Sequence, residues 1–372
     1  MKGRIRRYFV GGNTARGFYS LYESNLQGLE RLYTVSGGPG TGKQALLEAI
    51  GGEWEERGYD VEYIHSPADN EELDGVIIPA LKAGIVDATP PYSLGSGAAL
   101  AAVEHISLEQ AADPQALADG QEALRDAQLK MKEAFEAAYR LFAEALSIHD
   151  DWEAIYFENM DFRKADELTD TLLQRLFGST LGNGTGVVKR RFLGAATPAG
   201  AVDFVPNLTE GLSKRYFVKG RAGTGKSTML KRIAAEAEAR GLDVEIYHCG
   251  FDPHSLDMVI VRQLNFAIFD STSPHEYFPD REGDEIIDTY AIAVAPGTDE
   301  RFAEQLREVS ARYKAKMKAA IASLAAGKQH RDALAEIYSK AMNAGELDSW
   351  TASIREELRL RSEALDAGEA LH

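Results

Sequence analysis

The sequence predicts an α/β protein built from two tandem units of about 180 residues. Each is expected to hold a parallel sheet with flanking helices and an appended helical hairpin. Three observations predict this. A strand pattern, a glycine-rich loop and a helix pattern follow one another twice, and Gly37 of the first set recurs 183 positions later as Gly220. Strand and helix patterns alternate around each loop, which marks a parallel sheet covered by helices. Long heptad patterns close each unit. Two units of normal domain size fit 372 residues, and the boundaries read as 1–182 and 183–372.

In the first unit, Ile5, Tyr8, Phe9 and Val10 open a strand that runs into Gly11-Gly12, and Asn13 to Gly17 form a turn. Gly194 to Gly200 repeat that turn, with Thr14 and Thr197 equivalent. Two readings stand for the pair: a strand-to-strand turn, or a second loop touching a nucleotide. Strands follow at 32–36, 60–65 and 83–87, with a helix at 43–57 after the loop. Between the last two strands lies a short helical or extended piece. The matched segments of the second unit include Arg215 to Val218, Val244-Glu245 and Phe266 to Asp270. Its helix after the loop carries Leu230, Ile233, Ala234 and Ala237 on one face.

The loop Gly220-Arg221-Ala222-Gly223-Thr224-Gly225-Lys226-Ser227-Thr228 fits G-x-x-x-x-G-K-[ST], the phosphate-binding P-loop. Its glycines let backbone N–H groups turn inward, and the following helix adds partial positive charge at its N-terminus. Lys226 is expected to reach the β- and γ-phosphates of ATP, and the Ser227 hydroxyl to ligate Mg²⁺. Asp270 ends an apolar strand 44 residues after Lys226 and reads as a second Mg²⁺ ligand, with capping of the turn after it as the plainer alternative. His275, Glu276 and Asp252 are the polar candidates for positioning an attacking water. Arg281 reads as a surface residue paired with Glu282 or Asp280, or as an arginine finger.

The first loop, Gly37-Gly38-Pro39-Gly40-Thr41-Gly42-Lys43, keeps the lysine but puts Gln44 where Ser227 stands. Tyr92 and Ser93 stand where His275 and Glu276 stand. The second site therefore reads as competent. The first reads as degenerate, either binding nucleotide weakly or keeping only the loop's shape.

Apolar residues recur on a heptad from Leu117 to Ile155, with a break expected near His149-Asp150-Asp151, and a second helix runs from Lys164 to Phe177. In the second unit the helices read as Arg301 to Leu324 and Arg331 to Leu360. The hairpins thus span about 115–178 and 300–362, and they either pack on the other unit or project to a protein partner or a second copy. Residues 178–190 form a glycine-rich linker.

Lys plus Arg number 41 against 58 Asp plus Glu, a net charge of −17, which argues against nucleic acid as a partner. The clusters Lys2, Arg4, Arg6, Arg7 and Lys189, Arg190, Arg191 read as solvated strand ends. The single cysteine, Cys249, excludes an internal disulfide and suits a reducing cytoplasm. No apolar run reaches bilayer length, and no signal-peptide pattern opens the chain.

Gly11 to Ala15, Gly37 to Lys43, Gly220 to Thr228, Cys249 to Pro253 and Asp270 to His275 together make the chain resemble a family of bacterial tandem P-loop proteins described as ATP-binding proteins or ATPases. The resemblance covers nearly the whole chain. It implies two tandem P-loop NTPase domains and nucleotide binding. The family pattern ends the first loop in Lys-Ser or Lys-Thr, and Gln44 departs from it. The reaction expected is Mg²⁺-dependent ATP hydrolysis. A kinase acting on a small molecule or nucleotide and a non-catalytic nucleotide switch are the alternatives. The absence of an N-K-x-D base-reading motif favours ATP over GTP.

Overall fold

A computed structural model describes residues 2–91 and 102–368; Tyr92 and Ser93 lie outside the described residues. The first repeat contributes strands β1 (Ile5–Phe9), β2 (Gly11–Thr14), β3 (Gly17–Ser20), β4 (Arg31–Ser36), β5 (Val61–His65), β6 (Leu73–Ile78), β7 (Ala83–Asp87) and β8 (Ala102–Ser107). The second contributes β9 (Val188–Phe192), β10 (Gly194–Thr197), β11 (Gly200–Asp203), β12 (Lys214–Lys219), β13 (Val244–His248), β14 (Leu256–Val261), β15 (Phe266–Asp270) and β16 (Asp284–Asp288). The helices are α1 (Tyr22–Asn25), α2 (Lys43–Glu56), α3 (Pro114–Asp119), α4 (Gln121–Phe157), α5 (Phe162–Phe177), α6 (Val205–Leu208), α7 (Lys226–Ala239), α8 (Thr289–Ala293), α9 (Thr298–Arg301), α10 (Ala303–Ala341) and α11 (Ala344–Asp366).

The chain is α/β, but the repeats do not form two separate parallel sheets. They share one mixed sheet of twelve strands, ordered β16-β12-β15-β14-β13-β9-β1-β5-β6-β7-β4-β8. At its centre β1 and β9 pair antiparallel, with Phe9 opposite its own repeat equivalent Phe192. The halves are therefore related by an approximate two-fold, and their glycine-rich loops lie at opposite edges. Within each half one strand runs against the others. β6 pairs antiparallel with β5 and β7, and β14 with β13 and β15. These are the segments read as a short helical or extended piece. Both are buried along their whole length, so no polar alternation marks them as strands.

Alternate residues of each strand serve two layers. Leu32 and Phe217 join a central cluster with Tyr8, Tyr22, Leu193 and Tyr247, which spans both halves on one face. Tyr33 and Val35 face α2 through Leu46, Leu47 and Ile50. Tyr216 and Val218 face α7 through Met229, Leu230 and Ile233. The paired G-x-x-T-x-x-G segments are hairpin turns: Thr14 Oγ1 donates to the Gly17 carbonyl at 2.7 Å and Thr197 Oγ1 to that of Gly200 at 2.8 Å. The clusters read as solvated strand ends contain the most deeply buried Lys or Arg among the described residues. Arg191 is fully buried, with its guanidinium 3.8 Å from the Tyr8 ring centroid and Nη2 2.6 Å from Glu62 Oε2. Two strands meet there, so the basic stretch crosses the sheet's centre.

Two long helices form the arms. α4 runs 37 residues without a break at His149-Asp150-Asp151, and α10 runs 39 residues through the stretch expected to separate Leu324 from Arg331. Gly327 lies in that stretch. It serves close packing: a Cβ there would lie 2.9 Å from Phe135 Cε2 of α4. The turns come later, at Asp161 and Asn343, whose side chains accept from Lys164 N and Gly345 N and so cap α5 and α11. α4 and α10 pack on each other around Ala138, Phe142, Ala320 and Leu324. Phe142→Ala is expected to cost about 3–5 kcal/mol, since the ring is wholly buried between the arms; urea denaturation measures it.

Each arm then crosses to the other half. Leu172 and Phe177 of α5 complete the core against α7, and Ile354 and Leu358 of α11 complete the core against α2. The hairpins are exchanged between repeats that follow one another in sequence. No helix among the described residues is long and apolar enough to cross a membrane.

Candidate functional site

The buried strand β12 ends at Lys219, and the backbone then curls from Gly220 to Gly225 before α7 starts at Lys226. Gly223 and Gly225 take left-handed φ values of 74° and 80°, where glycine has no Cβ to strain. Gly40 and Gly42 repeat the pair at 80° and 97°. Gly220 is required for space, because a Cβ there would lie 2.3 Å from Thr289 Oγ1. Thr224 Oγ1 is spent inside the loop, donating to the Arg221 carbonyl at 2.9 Å. Ala222 and Thr228 lie on the loop and the first turn of α7.

Lys226 is nearly buried. Its Nζ donates to the Arg221 carbonyl at 2.7 Å and lies 3.6 Å from Asp270 Oδ2. Asp270 stands at the end of β15, hydrogen-bonded in parallel beside β12. Its Oδ1 accepts from Thr272 N and Oγ1, at 3.1 and 2.6 Å, which leaves Oδ2 turned toward the lysine. The Ser227 hydroxyl accepts from Leu256 N at 2.9 Å, and its second lone pair and proton remain for a ligand. The residue after Leu256 is Asp257, buried on β14; burial first, and then the Asp270 charge, push its carboxyl up to about 6. Ser227, Asp270 and Asp257 offer hard oxygens, the ligand type that Mg²⁺ takes.

The polar candidates fare differently. His275 Nδ1 lies 2.8 Å from Asp203 Oδ2. Burial opposes its charge, but Asp203, Asp257 and Asp270 together hold the imidazole above its ordinary range. Glu276 is half exposed and turns to Lys219 Nζ at 3.4 Å, away from Lys226. Asp252 accepts from Arg16 Nε at 2.8 Å. Arg281 pairs loosely with Asp280 at 3.8 Å. Sequence reasoning missed Asp257 and Asp203. The repeat held a signal for the first, since Leu73-Asp74 recurs as Leu256-Asp257.

It also missed the roof. The far end of α4, from the other repeat, lies on the second loop: a Cβ on Gly223 would come 2.5 Å from the Glu153 carbonyl oxygen. His149, Asp150 and Glu153 gather there, with potential ligand atoms within 4.8 Å of one another. Arg221 is held by Asp299 at 3.0 Å, and Asp299 accepts from Tyr156 of α4 at 2.9 Å. Gly223→Ala is expected to unseat this arm and cost at least about 2 kcal/mol, from the left-handed φ and the clash together. A lowered thermal midpoint and faster proteolysis within α4 check it.

The first loop keeps the same backbone but is internally satisfied. Lys43 Nζ donates to the Gly37 carbonyl, Asp87 Oδ2 and Thr89 Oγ1, at 2.6, 2.6 and 2.9 Å. The Gly38 N–H donates to Glu109 Oε1 at 3.2 Å, so a carboxylate already sits at the loop's amide. Gln44 Oε1 accepts from Leu73 N at 2.7 Å, the bond that Ser227 makes with Leu256 in the second repeat. Gly40 meets the Ala335 carbonyl of α10 as Gly223 meets that of Glu153.

Comparison with family models, with curated proteins and with solved structures gives no match. The functional reading therefore rests on the chain's own residues.

Proposed function

We propose that the second glycine-rich loop binds a nucleoside triphosphate with Mg²⁺ and hydrolyses it, ATP being the favoured nucleotide. The observation that carries this is the approach of Lys226 to Asp270 across two adjacent parallel strands, directly behind a loop with two left-handed glycines. Backbone N–H groups of 222–228 and the α7 N-terminus would hold the phosphates. Lys226 would exchange its present carbonyl partner for phosphate oxygens. Ser227 and Asp270 would hold Mg²⁺, which supplies positive charge against the phosphates when bound. His275, whose acidic neighbours favour its charged form against burial, and Asp257 would orient a water. The first loop, closed on its own residues, would serve as the structural twin. The single cysteine suits a reducing, cytoplasmic setting.

The test is phosphate release from ATP by the purified chain, with Mg²⁺ and with excess EDTA. Metal-dependent release is expected. A second reading, a nucleotide-dependent switch without turnover, draws on the arms, because each loop is roofed by the opposite repeat. Tight ATP binding without phosphate release favours it.

A further inference from the structure

The two roofs differ one turn before the loop contact. On α10, Arg331 lies one turn before Ala335, which covers the first loop; its guanidinium forks onto both carboxylate oxygens of Glu72, at 2.8 and 2.5 Å. On α4, the residue one turn before Glu153 is His149. Ser255 replaces Glu72 in the second repeat, so the forked pair has no counterpart, and the carboxylate nearest the His149 ring is Glu153 of its own helix, with Oε1 3.7 Å from Nδ1.

His149 is held in place by packing. Its ring is walled by Tyr313, Phe251 and Trp152, with centroids 5.6, 6.0 and 6.4 Å away. Phe251 belongs to the loop following β13, and Glu153 lies against Gly223. The imidazole is thus suspended between two loops at the C-terminal ends of the second half's parallel strands, where open α/β sheets take their ligands. Lys226, Asp252, Asp150 and Glu153 all contribute to its electrostatic environment, and burial leads in keeping it below its ordinary range.

We infer that His149, supplied by the first repeat, contacts the outermost phosphate of a nucleoside triphosphate held by Lys226 in the second. This rests on the nucleotide reading of the second loop. An imidazole N–H donates to a phosphate oxygen, and the incoming negative charge strengthens that bond. A diphosphate ends one phosphate earlier and leaves His149 without it. The arm would then sense the third phosphate, and the first repeat would be bound to the nucleotide state of the second.

Calorimetry of the full chain with Mg²⁺ and either ADP or an imido-bridged, non-hydrolysable ATP analogue tests this. His149→Phe fills the aromatic cage without a donor, and His149→Gln keeps an N–H donor. Wild type is expected to bind both nucleotides. His149→Phe is expected to lose about tenfold in affinity for the triphosphate analogue, with ADP unchanged, the worth of one charge-assisted hydrogen bond. His149→Gln is expected to recover most of that loss. Equal effects of His149→Phe on both nucleotides, or no effect on either, overturn the role of His149 and leave the nucleotide site standing. Binding of neither nucleotide by wild type overturns both readings.

Discussion

Lys226→Ala is expected to lower nucleotide affinity and phosphate release at least about a hundredfold, while Lys43→Ala leaves both within about twofold and instead destabilises the fold. The two lysines are repeat equivalents in loops of the same backbone, yet their bonding differs. Lys226 has one carbonyl partner and a carboxylate at 3.6 Å, so its ammonium can turn to phosphate at little cost. Two charge-assisted bonds to phosphate at about 1.5 kcal/mol each account for the hundredfold loss. Lys43 is saturated by three acceptors, and its pair with Asp87 is almost wholly buried, with side chains 11% and 7% exposed. Removing it leaves Asp87 as an uncompensated buried charge, at about 3–5 kcal/mol. Calorimetric binding, phosphate release and urea denaturation on both variants separate the effects. Equal loss of binding in both would mean that the first loop also takes nucleotide.

Much of the fold is legible in the sequence because it is written twice. The loops, the strands 83–87 and 266–270, and the apolar face of α7 follow from local pattern. What the pattern could not give is the joining of the halves. A heptad stripe on α4 fixes that the helix is covered, not by what, and the same stripe suits a projecting hairpin as well as an exchanged one. Helix breaks were expected at His149-Asp150-Asp151 and between Leu324 and Arg331, whereas the first stretch lies beside the second loop and the second, through Gly327, lets two arms approach. Lys226 and Ser227 were read from the loop motif and Asp270 from its place at the end of an apolar strand, and the fold brings Asp270 to 3.6 Å from Lys226. His149 was not legible: it lies 77 positions before Lys226, in the other repeat, and only the crossing of the arm brings them together. Glu276 and His275 were both read as the polar residues nearest Asp270 in sequence, and the turn at 272–275 sends His275 to Asp203 and Glu276 to Lys219.

The buried charge at the centre of the sheet gives one of the largest expected effects on stability. Arg191→Met is expected to destabilise the protein by about 3–5 kcal/mol at neutral pH, because Glu62 would keep its charge with its nearest cation gone. In the intact protein, burial alone would raise the Glu62 carboxyl. Arg191, then Lys189 and Arg6, outweigh that and hold it down to about 2 against an ordinary 4.5. Tyr8 adds a hydrogen bond to Glu62 Oε2 at 2.8 Å. A depressed folded-state pKa contributes stability that is fully present above about 4.5 and is lost as pH falls toward 2. The wild type should therefore lose stability through that window. In Arg191→Met, Glu62 lacks its main counter-charge, takes up a proton more easily and regains part of the loss. The gap between the two proteins should narrow from pH 7 to pH 3 in urea titrations. Arg191→Met combined with Glu62→Leu should recover much of the stability at neutral pH, since Glu62 is no longer stranded and Glu245, 3.8 Å from Arg191, keeps Arg262 at 2.5 Å. A double variant no more stable than Arg191→Met would mean that the guanidinium matters through its packing on Tyr8 and its bond to Asn25, at 2.7 Å, rather than through Glu62. The halves would then be joined by shape at this point, and not by charge.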